Sequence, residues 1–210
     1  MQGKFISFEG IDGSGKSTQL RLLTDELRKK GYDVLPTMEP GGTSLGRRLR
    51  EVFLETEEKV SPLAELLLFA ADRAQHVEFL IKPALDEGKI VISDRFADAT
   101  AAYQGAGRGF PEKIVSEVIR LATGGLKPDL TLFFDLPVET AVSRTGARSE
   151  EHNRMDAETA EFYERVRKAY LEISVREPER FRVINAVGSI DEIHSCVMKI
   201  VEDFLNSRAK

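Results

Sequence analysis

The sequence has neither the several cysteines of a disulfide-stabilised secreted protein nor the long apolar runs of a membrane protein. Cys196 is the single cysteine among 210 residues, and tryptophan is absent. One cysteine excludes an internal disulfide, so we expect a reducing compartment and a buried helical position for Cys196. No apolar run approaches the roughly 20 residues that span a bilayer. The first residues enter a β-prone segment at once, so we expect no signal peptide and a cytoplasmic location.

A large excess of basic residues is also missing. The chain carries 30 Lys and Arg against 35 Asp and Glu, a net charge of −5. This balance disfavours a protein that coats nucleic acid, but small phosphate ligands need only a few local cations. With 41% hydrophobic and 31% charged residues, the composition is typical of a globular protein without a membrane partner. The length fits one domain over residues 1–210.

Short β-prone segments alternate with helical segments along the chain. Strands are predicted over residues 4–9, 33–37, 89–93, 130–134 and 180–185. The main helices are predicted over 16–30, from 43 or 44 to about 55, over 62–87, on either side of a break at 105–111, and from 189 onward. Pro83 is expected to kink or divide the long helix. The alternation predicts an α/β fold, a parallel sheet of about five strands with helices on both faces.

The first predicted strand runs into the pattern Gly-x-x-x-x-Gly-Lys-Ser at residues 10–17, which matches a phosphate-binding loop (P-loop) in full. Its glycines allow successive backbone N–H groups to turn inward and form an anion-binding nest at a helix N-terminus. Lys16 can reach the β- and γ-phosphates of a nucleotide, and the Ser17 hydroxyl can hold Mg²⁺. The pattern therefore predicts a nucleotide-binding enzyme that transfers a phosphoryl group.

The residues after the third predicted strand narrow the reaction. No Asn-Lys-x-Asp run, the guanine-reading motif of GTPases, occurs in the chain. Asp94 ends the strand, where a carboxylate can meet Mg²⁺, and Arg95 follows it at the edge where open α/β sheets bind ligands. A carboxylate for the metal beside a guanidinium for a phosphate favours transfer between two nucleotides. The alternative is a structural ion pair at the strand end.

On the long predicted helix, Phe69 and Arg73 lie four residues apart and therefore on one face. An aromatic ring can stack on a base, and a guanidinium one turn away can donate to a base carbonyl. Without further context, a phenylalanine at helical spacing among leucines and alanines, such as Phe69, is far more often a core residue.

Several further segments, in the same order and at the same spacing, resemble bacterial thymidylate (dTMP) kinases over nearly the whole chain. They are residues 8–18 (FEGIDGSGKST), 39–43 (EPGGT), 67–73 (LLFAADR), 81–85 (IKPAL), 93–96 (SDRF), 103–109 (YQGAGRG) and 127–131 (KPDLT). The resemblance implies a P-loop kinase fold with a mobile lid at about 144–156. It also implies ATP and dTMP as substrates, Mg²⁺ as cofactor and a homodimer.

The resemblance also assigns roles to individual residues. ATP would be held by Gly10, Ile11, Asp12, Gly13, Ser14, Gly15, Lys16, Ser17 and Thr18, and Mg²⁺ by Ser17 and Asp94. The residues expected at dTMP are Asp12, Glu39, Arg50, Phe69, Arg73, Arg95, Thr100, Tyr103 and Gln104. Among these, Asp12 would face the sugar 3′-hydroxyl and Tyr103 would pack against C2′. Arg95 and Arg50 would grip the acceptor phosphate.

In the family that this chain resembles, a catalytic arginine sits either in the P-loop or in the lid. The variable P-loop positions 11–14 contain no cation, so the resemblance implies that the lid supplies it. Lys16, Arg95 and Arg148 are the predicted catalytic residues, with Arg144 and Arg154 as alternatives to Arg148. Closing such a lid would exclude water. The base of ATP is expected near the backbone of Asn185-Ala186.

One position departs from the family, and two other functions stay open. Family members often carry an arginine where this chain has Met38, so any role of that arginine is absent or taken over by Arg47 or Arg48. The closest alternative function is another P-loop nucleoside or nucleoside monophosphate kinase. A non-catalytic nucleotide-binding regulator is the alternative from another class.

Overall fold

The structure, a computed structural model, describes residues 3–54, 56, 58–146 and 158–207. Five strands form its sheet: β1 Lys4–Glu9, β2 Val34–Met38, β3 Ile90–Asp94, β4 Leu130–Asp135 and β5 Phe181–Asn185. Their order is β2-β3-β1-β4-β5, and every neighbouring pair is parallel. This confirms the predicted parallel sheet, and each predicted strand end lies within one residue of the observed one.

Helices connect the strands. They are α1 Lys16–Lys29, α2 Ser44–Leu54, α3 Pro62–His76, α4 Lys82–Asp86, α5 Ala97–Thr100, α6 Glu112–Thr123, α7 Val138–Gly146, α8 Ala160–Arg176 and α9 Ile190–Ser207. Two π-helical segments, Val77–Ile81 and Ala101–Gly107, join α3 to α4 and extend α5. Ser61 begins α3 by accepting a hydrogen bond from the Ala64 N–H at 3.3 Å, as a serine N-cap does.

Helices cover both faces of the sheet. Successive residues of a strand point to opposite faces of the sheet, so Phe5 and Ile6 of β1 lie on opposite faces. Phe5 packs in a cluster with Val77 and Ile81 from the segment after α3. Ile6 belongs to the larger core, which includes Leu23 of α1. The predicted two-sided α/β architecture is therefore confirmed.

The strand order places a ligand crevice beside β1. The chain moves from β1 to the outer strand β2, returns to β3 next to β1, and then crosses to β4 on the other side of β1. Open parallel sheets bind ligands outside the carboxyl ends of the strands where the order reverses in this way. The P-loop follows β1 and Asp94 ends β3, so both lie at this crevice.

The predicted long helix is divided, as Pro83 led us to expect. Because proline has no N–H, Pro83 cannot donate to the carbonyl four residues earlier, and the π-helical turn Val77–Ile81 precedes it. The predicted break at 105–111 is present but shorter, since the helix continues in π form to Gly107 and the next helix, α6, begins at Glu112. The prediction that Cys196 is buried is wrong, because Cys196 lies on the exposed side of α9.

In the described part of the chain, no helix combines the length and apolarity needed to cross a membrane.

Candidate active site

Two clefts stand out among the described residues, and their sizes do not identify the site. The larger, about 540 Å³, lies between α6 and α8. The smaller, about 90 Å³, lies at the carboxyl ends of the central strands next to the P-loop. Charged and aromatic side chains from five separate segments converge on the smaller cleft, and its lining comprises Asp12, Glu39, Pro40, Arg50, Leu54, Phe69, Arg73, Arg95, Ala99, Thr100, Tyr103 and Gln104. We refer to it as the acceptor cleft.

The P-loop adopts the conformation that its glycines predict. Gly13 and Gly15 have φ angles of 82° and 90°, in the left-handed region that favours glycine. A Cβ at Gly13 would lie 2.9 Å from the carbonyl oxygen of Ala141. Lys16 is buried at the start of α1, and its Nζ donates to the carbonyl of Ile11 at 3.0 Å. The loop therefore gathers backbone N–H groups and one ammonium group around a single point at the N-terminus of α1.

Ser17 and Asp94, the two residues predicted to hold Mg²⁺, lie next to each other. The Ser17 hydroxyl donates to Asp94 Oδ2 at 2.8 Å, which joins the end of the P-loop to the end of β3. Among the residues that the structure describes, no cluster of three or more His, Cys, Asp or Glu offers an all-protein metal cage. A hydroxyl and one carboxylate fit Mg²⁺, which keeps several waters and is commonly shared with substrate phosphates.

Arg95 contacts the P-loop rather than its neighbour Asp94. Its Nη2 lies 2.8 Å from Asp12 Oδ1, and its guanidinium carbon lies 4.8 Å from the centre of the Tyr103 ring. Burial works to raise the pKa of Asp12, but Arg95 and Lys16 outweigh it and hold that pKa below its ordinary value. In the described part of the chain, the ion pair of Arg95 at this strand end is with Asp12 and not with Asp94.

The backbone at Arg95 is strained, with a φ of 72° in the left-handed region. Flanking hydrogen bonds hold it there. The Arg95 N–H donates to the Phe8 carbonyl at 2.9 Å, and the Phe96 N–H donates to Glu9 Oε1 at 2.8 Å. Glu9 Oε2 accepts from the Tyr170 hydroxyl at 2.8 Å. Burial, followed by the charge of Asp98, raises the pKa of Glu9 to about 8.

Arg73 is the most enclosed cation of the acceptor cleft, with 2% of its surface exposed. Its Nε donates to Glu39 Oε2 at 2.7 Å, its Nη1 to the Thr100 hydroxyl at 2.7 Å, and its Nη2 to the Phe96 carbonyl at 2.9 Å. Glu39 also lies 2.8 Å from His76 Nδ1. Glu39 and Thr100 thus line the cleft, and both also fix the guanidinium plane of Arg73.

Phe69 lies between the core and the acceptor cleft. It is half-buried, its ring meets Phe53 edge-on at a centroid distance of 4.8 Å, and it also lines the acceptor cleft. Gln104, also in the cleft lining, donates from Nε2 to Glu65 Oε1 at 2.9 Å. Glu65 is one residue that sequence reasoning missed, since a glutamate on an amphipathic helix normally faces solvent.

The segment after β2 forms another edge of the acceptor cleft. Arg50 on α2 donates from Nη1 to the Pro40 carbonyl at 3.2 Å, which joins α2 to the Glu39-Pro40-Gly41 turn. Met38 is 50% exposed and lies beside Asp94 in the β2–β3 register. Arg47 and Arg48 are exposed on α2.

Most of the predicted lid, including Arg148 and Arg154, lies outside the described residues. Arg144, at the end of α7, is described. Its Nη1 donates to the Gly13 carbonyl at 3.3 Å and to the Ala186 carbonyl at 3.2 Å. Arg144 therefore connects the P-loop with the segment after β5, where the base of ATP is expected.

Comparisons with known proteins agree with this geometry. The sequence model of the thymidylate kinase family matches residues 8–197. The thymidylate kinase of Caldanaerobacter subterraneus subsp. tengcongensis is 45% identical over 205 residues, covering 98% of each chain. That of Pelotomaculum thermopropionicum is 46% identical over 211 residues, covering 100% of this chain and 98% of the relative.

A solved structure extends the comparison to three dimensions. The crystal structure of thymidylate kinase from Ehrlichia chaffeensis superposes with a TM-score of 0.78 at 35% identity, covering 96% of this chain and 99% of the other. Sequence and fold thus agree over nearly the full length of both proteins. The chain belongs to the thymidylate kinase family.

Proposed function

We propose that this protein transfers the γ-phosphoryl group of ATP to dTMP, giving ADP and dTDP. The observation that carries the proposal is the position of Arg95. It lies between the P-loop, through Asp12, and a cleft that is lined by Phe69 and Arg73. A cation between a triphosphate site and a base-sized cleft suits transfer from one nucleotide to another.

On the donor side, the P-loop residues 10–18 hold the phosphates of ATP through backbone N–H groups and Lys16. Ser17 and Asp94 hold Mg²⁺. The metal would supply positive charge to the phosphate oxygens when bound. Burial, with the charge of Arg95 next, lowers the pKa of Lys16, so this ammonium group loses its proton more readily than an exposed lysine does.

On the acceptor side, Phe69 stacks on thymine and Arg73 donates to a base carbonyl. Thr100 holds Arg73, and Gln104 completes base recognition. Tyr103 packs against C2′ of the sugar and Asp12 faces its 3′-hydroxyl. Arg95 and Arg50 bind the acceptor phosphate. Glu39 acts by holding Arg73.

The chemistry needs positioning and charge neutralisation rather than covalent help. An oxygen of the dTMP phosphate forms a bond to the γ-phosphorus in line with the bond that breaks, and ADP leaves with its terminal oxygen. The attacking phosphate is already ionised, so no general base is required. Lys16 and Arg95 stabilise the equatorial oxygens, with Arg148 of the lid as the third proposed cation. We also propose that residues 1–210 form a single domain and that the segment at about 144–156 is its lid.

The protein is further proposed to be a cytoplasmic homodimer. Helix α3 packs against both α2 and α6, and each of these three helices exposes two large apolar side chains at helical spacing. The six side chains are Leu45, Val52, Leu63, Leu67, Ile114 and Leu121. An apolar face spread over three neighbouring helices is the kind of surface that a second copy covers. A monomer in sedimentation analysis at micromolar concentration would refute the interface.

A panel of acceptors separates the alternatives. The proposed enzyme phosphorylates dTMP in preference to thymidine and to purine monophosphates. A related P-loop kinase would prefer another member of the panel. A nucleotide-binding regulator would bind ATP but turn over none of the acceptors, and it would tolerate loss of Arg95 and Arg50.

A further inference from the structure

The side-chain amide of Gln104 is held by a buried carboxylate from a neighbouring helix. Gln104 lies in the π-helical segment Ala101–Gly107, lines the acceptor cleft and is 2% exposed. Its Nε2 donates to Glu65 Oε1 at 2.9 Å. Glu65 lies on α3, the helix that also carries Phe69 and Arg73, and it has no exposed surface. A fully buried acidic side chain needs a specific reason to be there.

Arg108 forms an ion pair with the carboxylate of Glu65. Arg108 Nε donates to Glu65 Oε1 and its Nη2 to Oε2, each at 3.0 Å, which is the bidentate geometry of a strong arginine–carboxylate pair. Arg108 also lies 2.7 Å from Glu158 and stacks over the Phe162 ring at 4.8 Å. An ionised carboxylate only accepts hydrogen bonds. The group of Gln104 that faces Glu65 is therefore its NH₂.

The orientation of the amide follows. Since the NH₂ of Gln104 lies on Glu65, its carbonyl oxygen Oε1 lies on the other side of the amide. Within the described part of the chain, no side chain or backbone group donates a hydrogen bond to this oxygen, and it is not fully enclosed by protein. The acceptor cleft thus presents a hydrogen-bond acceptor at Gln104.

Arg73 presents hydrogen-bond donors to the acceptor cleft, whereas Gln104 presents an acceptor. Within the described residues, Glu39, Thr100 and the Phe96 carbonyl use three of the five N–H groups of its guanidinium, which leaves two for a ligand. A donor at Arg73 and an acceptor at Gln104 match a pyrimidine that has a carbonyl at C4 and an N–H at position 3. Cytosine has an amino group at C4, which donates, and an unprotonated N3, which accepts. Its hydrogen-bonding pattern is therefore the reverse of that of thymine at both positions.

We propose that Glu65 determines base specificity by holding the NH₂ of Gln104, so that Gln104 Oε1 accepts from the N3–H of thymine and rejects cytosine. This rests on the proposed function and deepens it. Glu65 touches no substrate; it is a positioning residue that acts through Gln104. Thymine and uracil share the selected edge, so Glu65 does not distinguish between them.

The test compares the specificity constants, kcat/KM, for dTMP and dCMP. Glu65→Gln is nearly isosteric and can donate to Gln104 Oε1, so it allows the amide to turn. We expect the dTMP-to-dCMP ratio to fall roughly tenfold or more, mainly through a higher KM for dTMP. Glu158→Gln is the matched control, because Glu158 also binds Arg108, whereas the side-chain hydrogen bond of Gln104 among the described residues is with Glu65. It should change the ratio less than twofold.

A double-mutant cycle shows whether Glu65 acts through Gln104. In a Gln104→Met background, adding Glu65→Gln should change the ratio less than twofold, since no amide remains to be oriented. An unchanged ratio in Glu65→Gln alone, or the same fall in the Gln104→Met background, would overturn the proposal. Absence of dTMP turnover in the unmutated protein would refute the proposed function instead.

A measurement on the unmutated protein decides the question if Glu65→Gln does not fold. The ¹⁵N NMR signal of the Gln104 side-chain NH₂ should be protected from solvent exchange before nucleotide is added, because its protons lie on Glu65. Protection that arises only after dTMP is added would place the NH₂ on the nucleotide side and contradict the proposal.

Discussion

Arg95 and Asp12 join two strand ends that lie far apart in sequence, with Arg95 Nη2 2.8 Å from Asp12 Oδ1. Asp12 belongs to the P-loop after β1, and Arg95 follows β3, the neighbour of β1 in the sheet. The pair holds the guanidinium at the boundary between the donor loop and the acceptor cleft. It also explains why an arginine occupies a left-handed backbone conformation, since this turn directs its side chain back over the P-loop.

Two substitutions of Arg95 should have the same effect on activity but different effects on stability. Arg95→Ala should lose about 10³-fold or more in kcat, as for other arginines that stabilise phosphoryl transfer, while ATP binding measured by calorimetry persists. Arg95→Gly should be equally inactive but more stable than Arg95→Ala by about 1 kcal/mol, because glycine adopts a φ of 72° without strain. Urea unfolding of the two variants measures this difference. Equal stabilities would show that the backbone at position 95 stores no strain.

Removing the Phe69 ring should weaken acceptor use. Phe69→Ala should lower kcat/KM for dTMP by about 10- to 100-fold, since stacking of a base on an aromatic side chain contributes about 1–3 kcal/mol. Phe79→Ala is the control, because Phe79 is a largely exposed phenylalanine on the Val77–Ile81 turn. A loss of activity no larger in Phe69→Ala than in Phe79→Ala would assign Phe69 to packing against Phe53 alone.

The chain's discrimination between sugars should depend on the ring of Tyr103 rather than on its hydroxyl. Tyr103→Ala should raise the kcat/KM for UMP relative to dUMP, because space opens beside C2′. Tyr103→Phe keeps the ring and should leave the ratio unchanged. The ratio also corrects for any general loss of activity when the contact of Arg95 with the ring is removed. Selection against UMP that survives in Tyr103→Ala would exclude this role.

Glu9 should make the stability of the fold fall as pH rises. Its pKa is raised from an ordinary 4.5 to about 8, first by burial and then by Asp98, so between these values the folded state binds more protons than the unfolded state. The free energy of unfolding therefore declines over this window. Glu9→Gln has no such proton. Relative to Glu9→Gln, the unmutated protein should lose more than about 1 kcal/mol between pH 5 and pH 8.5, measured by urea unfolding. A pH-independent difference would contradict the raised pKa.

Local patterns predicted the features of this fold that depend on local chemistry. The glycines of the P-loop, the strand that ends at Asp94 and the division of the long helix next to Pro83 each follow from neighbouring residues. The contacts of Glu65 with Gln104 and Arg108 could not be predicted in this way, since they join residues 39 and 43 positions apart. Charged residues on amphipathic helices are usually solvated, whereas Glu65 is buried and hydrogen-bonded to Gln104 and Arg108. The exposure of Cys196 likewise depends on which side of α9 meets the core.

The most direct test of the account is a coupled assay of ADP release from ATP, with dTMP as the acceptor and Mg²⁺ present. We predict ADP release that requires dTMP, saturates with it and yields dTDP in equal amount. The Arg95→Ala variant should release almost none. If the unmutated protein releases no ADP in response to dTMP, the assignment as a dTMP kinase is contradicted.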